Sequence, residues 1–346
     1  MNATAGRRRV LGGPGFARLL RRNAWTLGTY GLFLALFVFT LFIHPDYGPY
    51  EVRSLVVGAL PLAFCAIAQT CVVLGGGIDL SIGAMMAVTN VVAARYMFHH
   101  DFQTALLVAF LVLVGGTVAG ALNGVIALRT RVPDIVVTLA MSFVWGGVAL
   151  LILAKPGGGA PEAFMELASG NLITPWVPNG LILLTVVVAL VWIPLRLGRL
   201  GLALYAVGSD RTAAFRRGVR VGPTRVFSYA LGGFFAACGG LALMMSTGIG
   251  SPLAGTIYTL SGVSAIVLGG VSLAGGKGGV MGPIVAAFVL TLVPADLIMM
   301  GTDPNFGQVI QGAMLVLVVM AGGLAPLLRR RMAGRAQTQT IPGSAA

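Results

Sequence analysis

Ten stretches of almost uninterrupted apolar residues divide this chain of 346 residues, and no other feature constrains its fold as strongly. A bilayer core is crossed by about 20 apolar residues of helix. The stretches fall near that length, at 27–43, 52–74, 80–98, 104–128, 135–154, 179–195, 226–247, 257–274, 280–300 and 308–328. Within lipid every backbone amide must find its partner inside the protein, which a helix achieves locally. The expected fold class is therefore an all-α integral membrane protein of about ten transmembrane helices, some of them broken or re-entrant. Composition agrees. Of all residues 57% are hydrophobic and 10% charged, whereas a soluble domain carries about 25% charged residues.

Charge orients the spans. With the N-terminus in the cytoplasm, the inside receives Arg7, Arg8, Arg9, Arg18, Arg21 and Arg22, then Arg129 and Arg131, then the seven arginines from Arg196 to Arg225. It also receives Lys277 and the arginines at 329, 330, 331 and 335, which makes 20 of the 23 basic residues. Arg53, Arg95 and Lys155 fall on the other side, together with the acids Asp46, Glu51, Asp101, Glu162, Glu166 and Asp303. This partition satisfies the positive-inside rule. The net charge of +13 does not point to nucleic acid, because the basic residues sit in short segments between apolar runs and not on one soluble face. The organisation read from this is a basic cytoplasmic tail over 1–26, a membrane domain over 27–328, and a second cytoplasmic tail over 329–346. The stretch "GRRRVLG" is superficially like a twin-arginine signal, but no apolar run follows it directly and no small-residue cleavage site follows the first run. The first span is expected to stay uncleaved.

Fifty glycines punctuate the apolar runs. Small residues let helix backbones approach closely in lipid, and glycine pairs permit breaks where protein satisfies the backbone. "VLGGGIDLSIG" (73–83) and "VLGGVSLAGGKGGVMG" (267–282) share a V-L-G-G core after spans of the same orientation. They are either a weak internal repeat or two independent breaks. In the first, Gly75, Gly76 and Gly77 are expected to end one helix, and Asp79 and Ser81 to cap the next. A carboxylate beside a helix N-terminus is favoured by about 0.3–1 kcal/mol. The competing role for Asp79 is direct contact with solute. Gln69, Asn90, Asn123, Thr138 and Ser142 are polar residues within spans; they either line a translocation path or join helices to one another.

No pattern of enzyme chemistry emerges. In "SLAGGKGG" the lysine is followed by Gly278, where a phosphate loop needs serine or threonine. His-Glu-x-x-His and Ser-His-Asp patterns are missing from the sequence. Cys65, Cys71 and Cys238 lie inside apolar runs without metal-ligand spacing and read as packing residues. His44, His99 and His100 stand at outer ends of spans, so no metal site is expected. Ion-coupled carriers place several ionisable residues in the membrane, but here only Asp79 and Asp296 qualify. The driving force is therefore expected from another subunit.

The largest inside loop, 196–225, offers a place for that subunit. Ser209 or Asp210 is suited to cap a short helix through Ala213, Ala214 and Arg217, with Gly218 as its stop. Two readings remain: a basic interfacial loop that sets topology, or a docking helix for a cytoplasmic motor.

Taken together, these segments resemble the permease subunits of ATP-binding-cassette importers of the ribose/xylose/galactose type, from about Ala63 to Leu328. "AIAQTCVVLGGGIDLSIGAMMA" is similar to that family's G-G-I-D-L-S-x-G segment, and "GALNGVIALRTRVPDIVVTLA" to its N-G and P-x-I-V-T-L segment. "YAVGSDRTAAFRRGVRV" resembles its cytoplasmic coupling loop, and "AIVLGGVSLAGGKGGVMGP" its last signature. The resemblance implies ten helices and cytoplasmic termini in a bacterial inner membrane. Its implied partners are a second permease copy or paralogue, a cytoplasmic ATP-binding-cassette ATPase and an external solute-binding protein. It implies no cofactor on this chain, with ATP and magnesium used by the partner. It also assigns ATPase coupling to Ser209, Asp210, Arg211, Thr212, Ala213, Ala214, Arg216, Arg217 and Gly218. Asp210 stands where the family usually has asparagine, and Thr259 and Ser261 where it typically has acidic residues. The expected function is passage of a monosaccharide or sugar-like solute. The alternatives are a nucleoside or branched-chain amino-acid permease of the same class, and a motor-independent channel or secondary carrier.

Overall fold

The computed structural model describes residues 14–303 without interruption and individual positions between 306 and 320, with side chains from Trp25 onward. Its helices are α1 (Pro14–Ile43), α2 (Pro49–Leu74), α3 (Ile82–Met97), α4 (Phe102–Arg129), α5 (Asp134–Ile152) and α6 (Glu162–Ser169). They continue as α7 (Asn179–Val187), α8 (Ile193–Leu197), α9 (Arg199–Ser209), α10 (Arg211–Arg216), α11 (Val221–Thr247), α12 (Thr256–Leu268) and α13 (Met281–Met299). Among the described residues there is no strand, and a single antiparallel bridge joins Gly157 to Gly250.

Among the described residues seven helices are long and apolar enough to cross a membrane, counting α7 and α8 as one, and α3 and α12 are shorter apolar helices. Between α7 and α8 the chain widens into a π-helical turn over Val188–Trp192. Pro194 follows it, and a proline ring clashes with the carbonyl four residues earlier, here Leu190, which the wider turn relieves. Two expectations shift. The helical start at Pro14 takes up part of the tail expected over 1–26. The span expected over 257–274 ends at Leu268, because Gly269 and Gly270 close it. The tenth run and the tail over 329–346 fall largely outside the described residues.

α2 is the centre of the bundle: 89% of its apolar window is buried, against 17% for α5. α11 packs against α2 and α4, and the α4 contact is built from small residues. Gly116, Gly120 and Gly124 repeat every fourth position and so share one face of α4. A Cβ at Gly120 would lie 2.8 Å from the Cα of Gly233 on α11, and one at Gly124 would lie 2.9 Å from the Cβ of Tyr229. Helices approach this closely in lipid only where side chains are missing.

The two V-L-G-G segments form the same turn. After α2, Gly76 N–H donates to the Val73 carbonyl at 2.9 Å and Gly77 N–H to Val72 at 3.1 Å. After α12, Gly270 N–H donates to Val267 at 3.1 Å and Val271 N–H to Ile266 at 2.9 Å. These paired bonds close a helix end through one left-handed residue. Gly76 and Gly270 supply it, with φ of 76° and 85°, a conformation that costs glycine little. The second turn is also clasped by α1. The Trp25 indole donates to the Val267 and Leu268 carbonyls at 3.1 and 3.0 Å, and the Thr29 hydroxyl to Leu268 at 2.6 Å.

Candidate translocation and coupling site

Three polar residues of the spans, Gln69, Asn123 and Thr138, converge on the first break. Asp79, with no exposed surface, accepts through Oδ1 from the Ser81 N–H at 2.8 Å and the Ser81 hydroxyl at 2.6 Å. An aspartate bonding the backbone two residues on forms a local turn, and this one sits where α3 begins. Asn123 Nδ2 donates to Ser81 Oγ at 2.7 Å, and the Trp145 indole donates to Asn123 Oδ1 at 3.1 Å. Gln69 Nε2 donates to the Asp79 carbonyl at 2.8 Å. Thr138 Oγ1 donates to the Ile78 carbonyl at 3.2 Å and accepts from Leu80 N–H at 3.1 Å. One point differs from the sequence reading. Ser81 stands at the N-cap position of α3 but makes no side-chain cap bond, because its hydroxyl is directed to Asp79.

Gln69, Asn90, Asn123 and Thr138 are sealed from solvent in this conformation. Three of them hold the break, and Asn90 accepts from Ser251 N–H at 2.8 Å on the loop before α12. Ser142 is partly exposed, and its hydroxyl turns back to the Leu139 carbonyl of its own helix at 2.6 Å. Hydrogen-bonding capacity remains unused at Gln69 Oε1, Asp79 Oδ2 and Asn90 Nδ2.

The segment expected to couple to an ATPase contains a six-residue helix, α10. Asp210 is its N-cap and accepts from Ala213 N–H at 3.0 Å, while Gly218 follows it with φ of 80°. Ser209, the other candidate cap, closes α9 instead, with its hydroxyl 3.4 Å from the Gly276 carbonyl. The two alanines part company. Ala213 is exposed, as are Thr212, Arg216 and Arg217, but Ala214 is buried against this chain. The outward apolar group is Phe215, 71% exposed, which a reading centred on the small residues passes over.

Residues distant in sequence surround this segment. Asp134, in the first turn of α5, accepts from Arg225 Nη2 at 2.6 and 2.7 Å. Arg211 Nη2 lies 3.8 Å from the same carboxylate and donates to the Gly76 carbonyl at 2.5 Å. The Tyr205 hydroxyl donates to the Gly278 carbonyl at 2.7 Å. Burial raises the phenol's pKa above its ordinary value, with Arg196 opposing, so it stays a proton donor at neutral pH. Gly208 lies between the breaks: a Cβ at Gly76 would sit 3.3 Å from the Gly208 Cα, and one at Gly275 would sit 2.7 Å from the Gly208 carbonyl oxygen. No local motif marks Tyr205, Asp134 or Arg225, since their partners lie 73 and 91 residues away.

The family described as "Branched-chain amino acid transport system / permease component" matches residues 52–319, a stretch that contains both breaks and α10. The chain belongs to this permease family. As a permease component it is a multi-pass membrane transport subunit and not an enzyme. The fructose import permease protein of Rhizobium meliloti is 32% identical over 73% of this chain and 72% of its own length. The ribose import permease protein of Escherichia coli K12 is 30% identical over 75% of this chain and 81% of its own length. An autoinducer 2 import system permease protein of Klebsiella pneumoniae is 29% identical over 92% of each chain. No solved structure matches this permease significantly.

Proposed function

We propose that this permease forms the translocation path of an ATP-binding-cassette importer for a monosaccharide or sugar-like solute. An external binding protein delivers the solute, and a cytoplasmic ATPase drives its passage. Similarity to fructose, ribose and autoinducer 2 import permeases over most of the chain supports the solute class. The ATPase, with its ATP and magnesium, supplies the energy, and this chain carries no nucleotide of its own. The distribution of basic residues supports placement in a bacterial cytoplasmic membrane with both termini inside. A second permease, identical or paralogous, completes the path.

One observation carries the coupling role: an Asp210-capped helix whose exposed face presents Phe215 and Ala213. An exposed aromatic group on a short, polar cytoplasmic helix suits an anchor in a partner's groove. The test is co-purification with the ATPase and hydrolysis stimulated by solute-loaded binding protein. Phe215→Ala and Ala213→Trp should weaken both while the membrane fold stays intact. Unchanged association and stimulation in both variants would contradict the assignment. The family description supports a second reading, import of a branched-chain amino acid. Direct binding of leucine but no sugar by the cognate binding protein would favour it.

A further inference from the structure

We propose that the α9–α10 segment clamps both glycine breaks, with Arg211 and Tyr205 as positioning residues that make the two breaks respond together to one displacement of α10. This rests on the reading that α10 meets the ATPase. The Arg211 guanidinium holds the first break through the Gly76 carbonyl at 2.5 Å. Tyr205, on α9, holds the second through the Gly278 carbonyl at 2.7 Å. Between these tethers the segment has no free play. A Cβ at Gly208 would collide with the Leu74 carbonyl and lie 2.7 Å from the Gly276 backbone nitrogen. A Cβ at Gly275 would come 3.1 Å from the Gly76 Cα, so the two breaks touch each other beside α9.

The geometry therefore couples more than a docking contact. The first break joins α2 to α3 and the second joins α12 to α13. The first break is tied to the start of α3 by the Asp79–Ser81 turn. The second is cross-bonded from Ser272 N–H to the Lys277 carbonyl at 3.0 Å and from Gly275 N–H to the Ser272 carbonyl at 2.9 Å. A pull on the Gly76 or Gly278 carbonyl is therefore passed along the break to the helix that follows. A bond from a charged donor is about twice as strong as a neutral one, which makes the Arg211 tether the stiffer of the two. Packed segments of this kind shift between discrete arrangements and do not deform continuously. One displacement of α10 should thus move α3 and α13 in concert.

The test uses the complete complex of permease, ATPase and binding protein in lipid nanodiscs. Cysteines placed at Ala84 on α3 and at Met281 on α13 report each helix by their rate of labelling with a water-soluble thiol reagent, with and without bound nucleotide. In the otherwise native chain both rates should respond to nucleotide. Arg211→Ala should abolish the response at position 84 and spare that at 281. Tyr205→Phe, which removes only a hydroxyl, should do the reverse. Arg211→Lys, keeping a donor and a charge, should restore part of the response at 84. Solute-stimulated hydrolysis should fall about fivefold or more in Arg211→Ala and Tyr205→Phe, the scale of a modest coupling energy, with ATPase association retained in Tyr205→Phe. Native responses at both positions in both variants would overturn the clamp alone. Equal loss at both positions in each variant would also overturn it, since a general structural defect predicts that pattern. Failure of the unaltered permease to bind the ATPase would overturn the docking reading, and the clamp with it.

Discussion

Nη2 of Arg225 lies 2.6 and 2.7 Å from the two carboxylate oxygens of Asp134, fastening the N-terminal end of α11 to the first turn of α5. The side chains are 9% and 15% exposed, so removing one leaves a largely buried charge. Arg225→Met should destabilise the protein by about 3 kcal/mol, the low end for a broken buried pair, because Arg211 remains 3.8 Å from Asp134. Arg225→Met with Asp134→Leu should recover part of the loss. Thermal unfolding in detergent measures both, and a single variant as stable as the native chain would contradict the pairing.

The α4–α11 contact depends on the absence of a side chain at Gly120. Gly120→Ala should cost about 1–3 kcal/mol, the usual penalty of overpacking, because the methyl meets backbone atoms of Gly233 that cannot rotate away. Gly115→Ala is the internal control, since a Cβ there has no neighbour within 4 Å. The two variants should separate clearly in unfolding temperature and yield. Equal behaviour would mean that the helices do not meet along this face.

Asp79 should act on folding and assembly before it acts on solute choice. Asp79→Ala deprives the Ser81 N–H and hydroxyl of their shared acceptor, and a buried group left unpaired costs about 1–3 kcal/mol. Asp79→Asn retains an acceptor oxygen and should be milder. Folded yield and competition between solutes in uptake distinguish the two roles. A stable, assembled Asp79→Ala permease with altered solute preference would refute the structural role.

Orientation is open to a direct test in intact cells. Lys155 and Thr212 are both exposed, on loops that the distribution of basic residues assigns to opposite sides of the membrane. An impermeant thiol reagent should label Lys155→Cys and spare Thr212→Cys until the membrane is opened. Reversed labelling would invert the topology.

Much of the architecture was legible because hydropathy and helix length are governed by the same bilayer. The runs at 52–74 and 104–128 became α2 and α4 with ends displaced by a few residues. The span expected over 257–274 ends at Leu268, because hydropathy does not register that Gly270, with φ of 85°, closes the helix. At the site, Asp79, Gln69, Asn123 and Thr138 stood out as polar residues in apolar surroundings. Their convergence on residues 78–81 did not, since it arises from packing among α2, α4 and α5. Asp134, Arg225 and Tyr205 looked like ordinary residues between the spans until the fold gave them partners. The burial of Ala214 and the exposure of Phe215 were not legible, because a six-residue helix shows its faces only once its contact with the chain is known.

The most direct measurement of the central claim is solute uptake into proteoliposomes holding this permease, its ATPase and the solute-loaded binding protein. A radiolabelled monosaccharide recognised by that binding protein should accumulate only when ATP reaches the ATPase, and the permease alone should pass none. Uptake by the permease alone, or uptake indifferent to ATP in the complete system, would contradict the account.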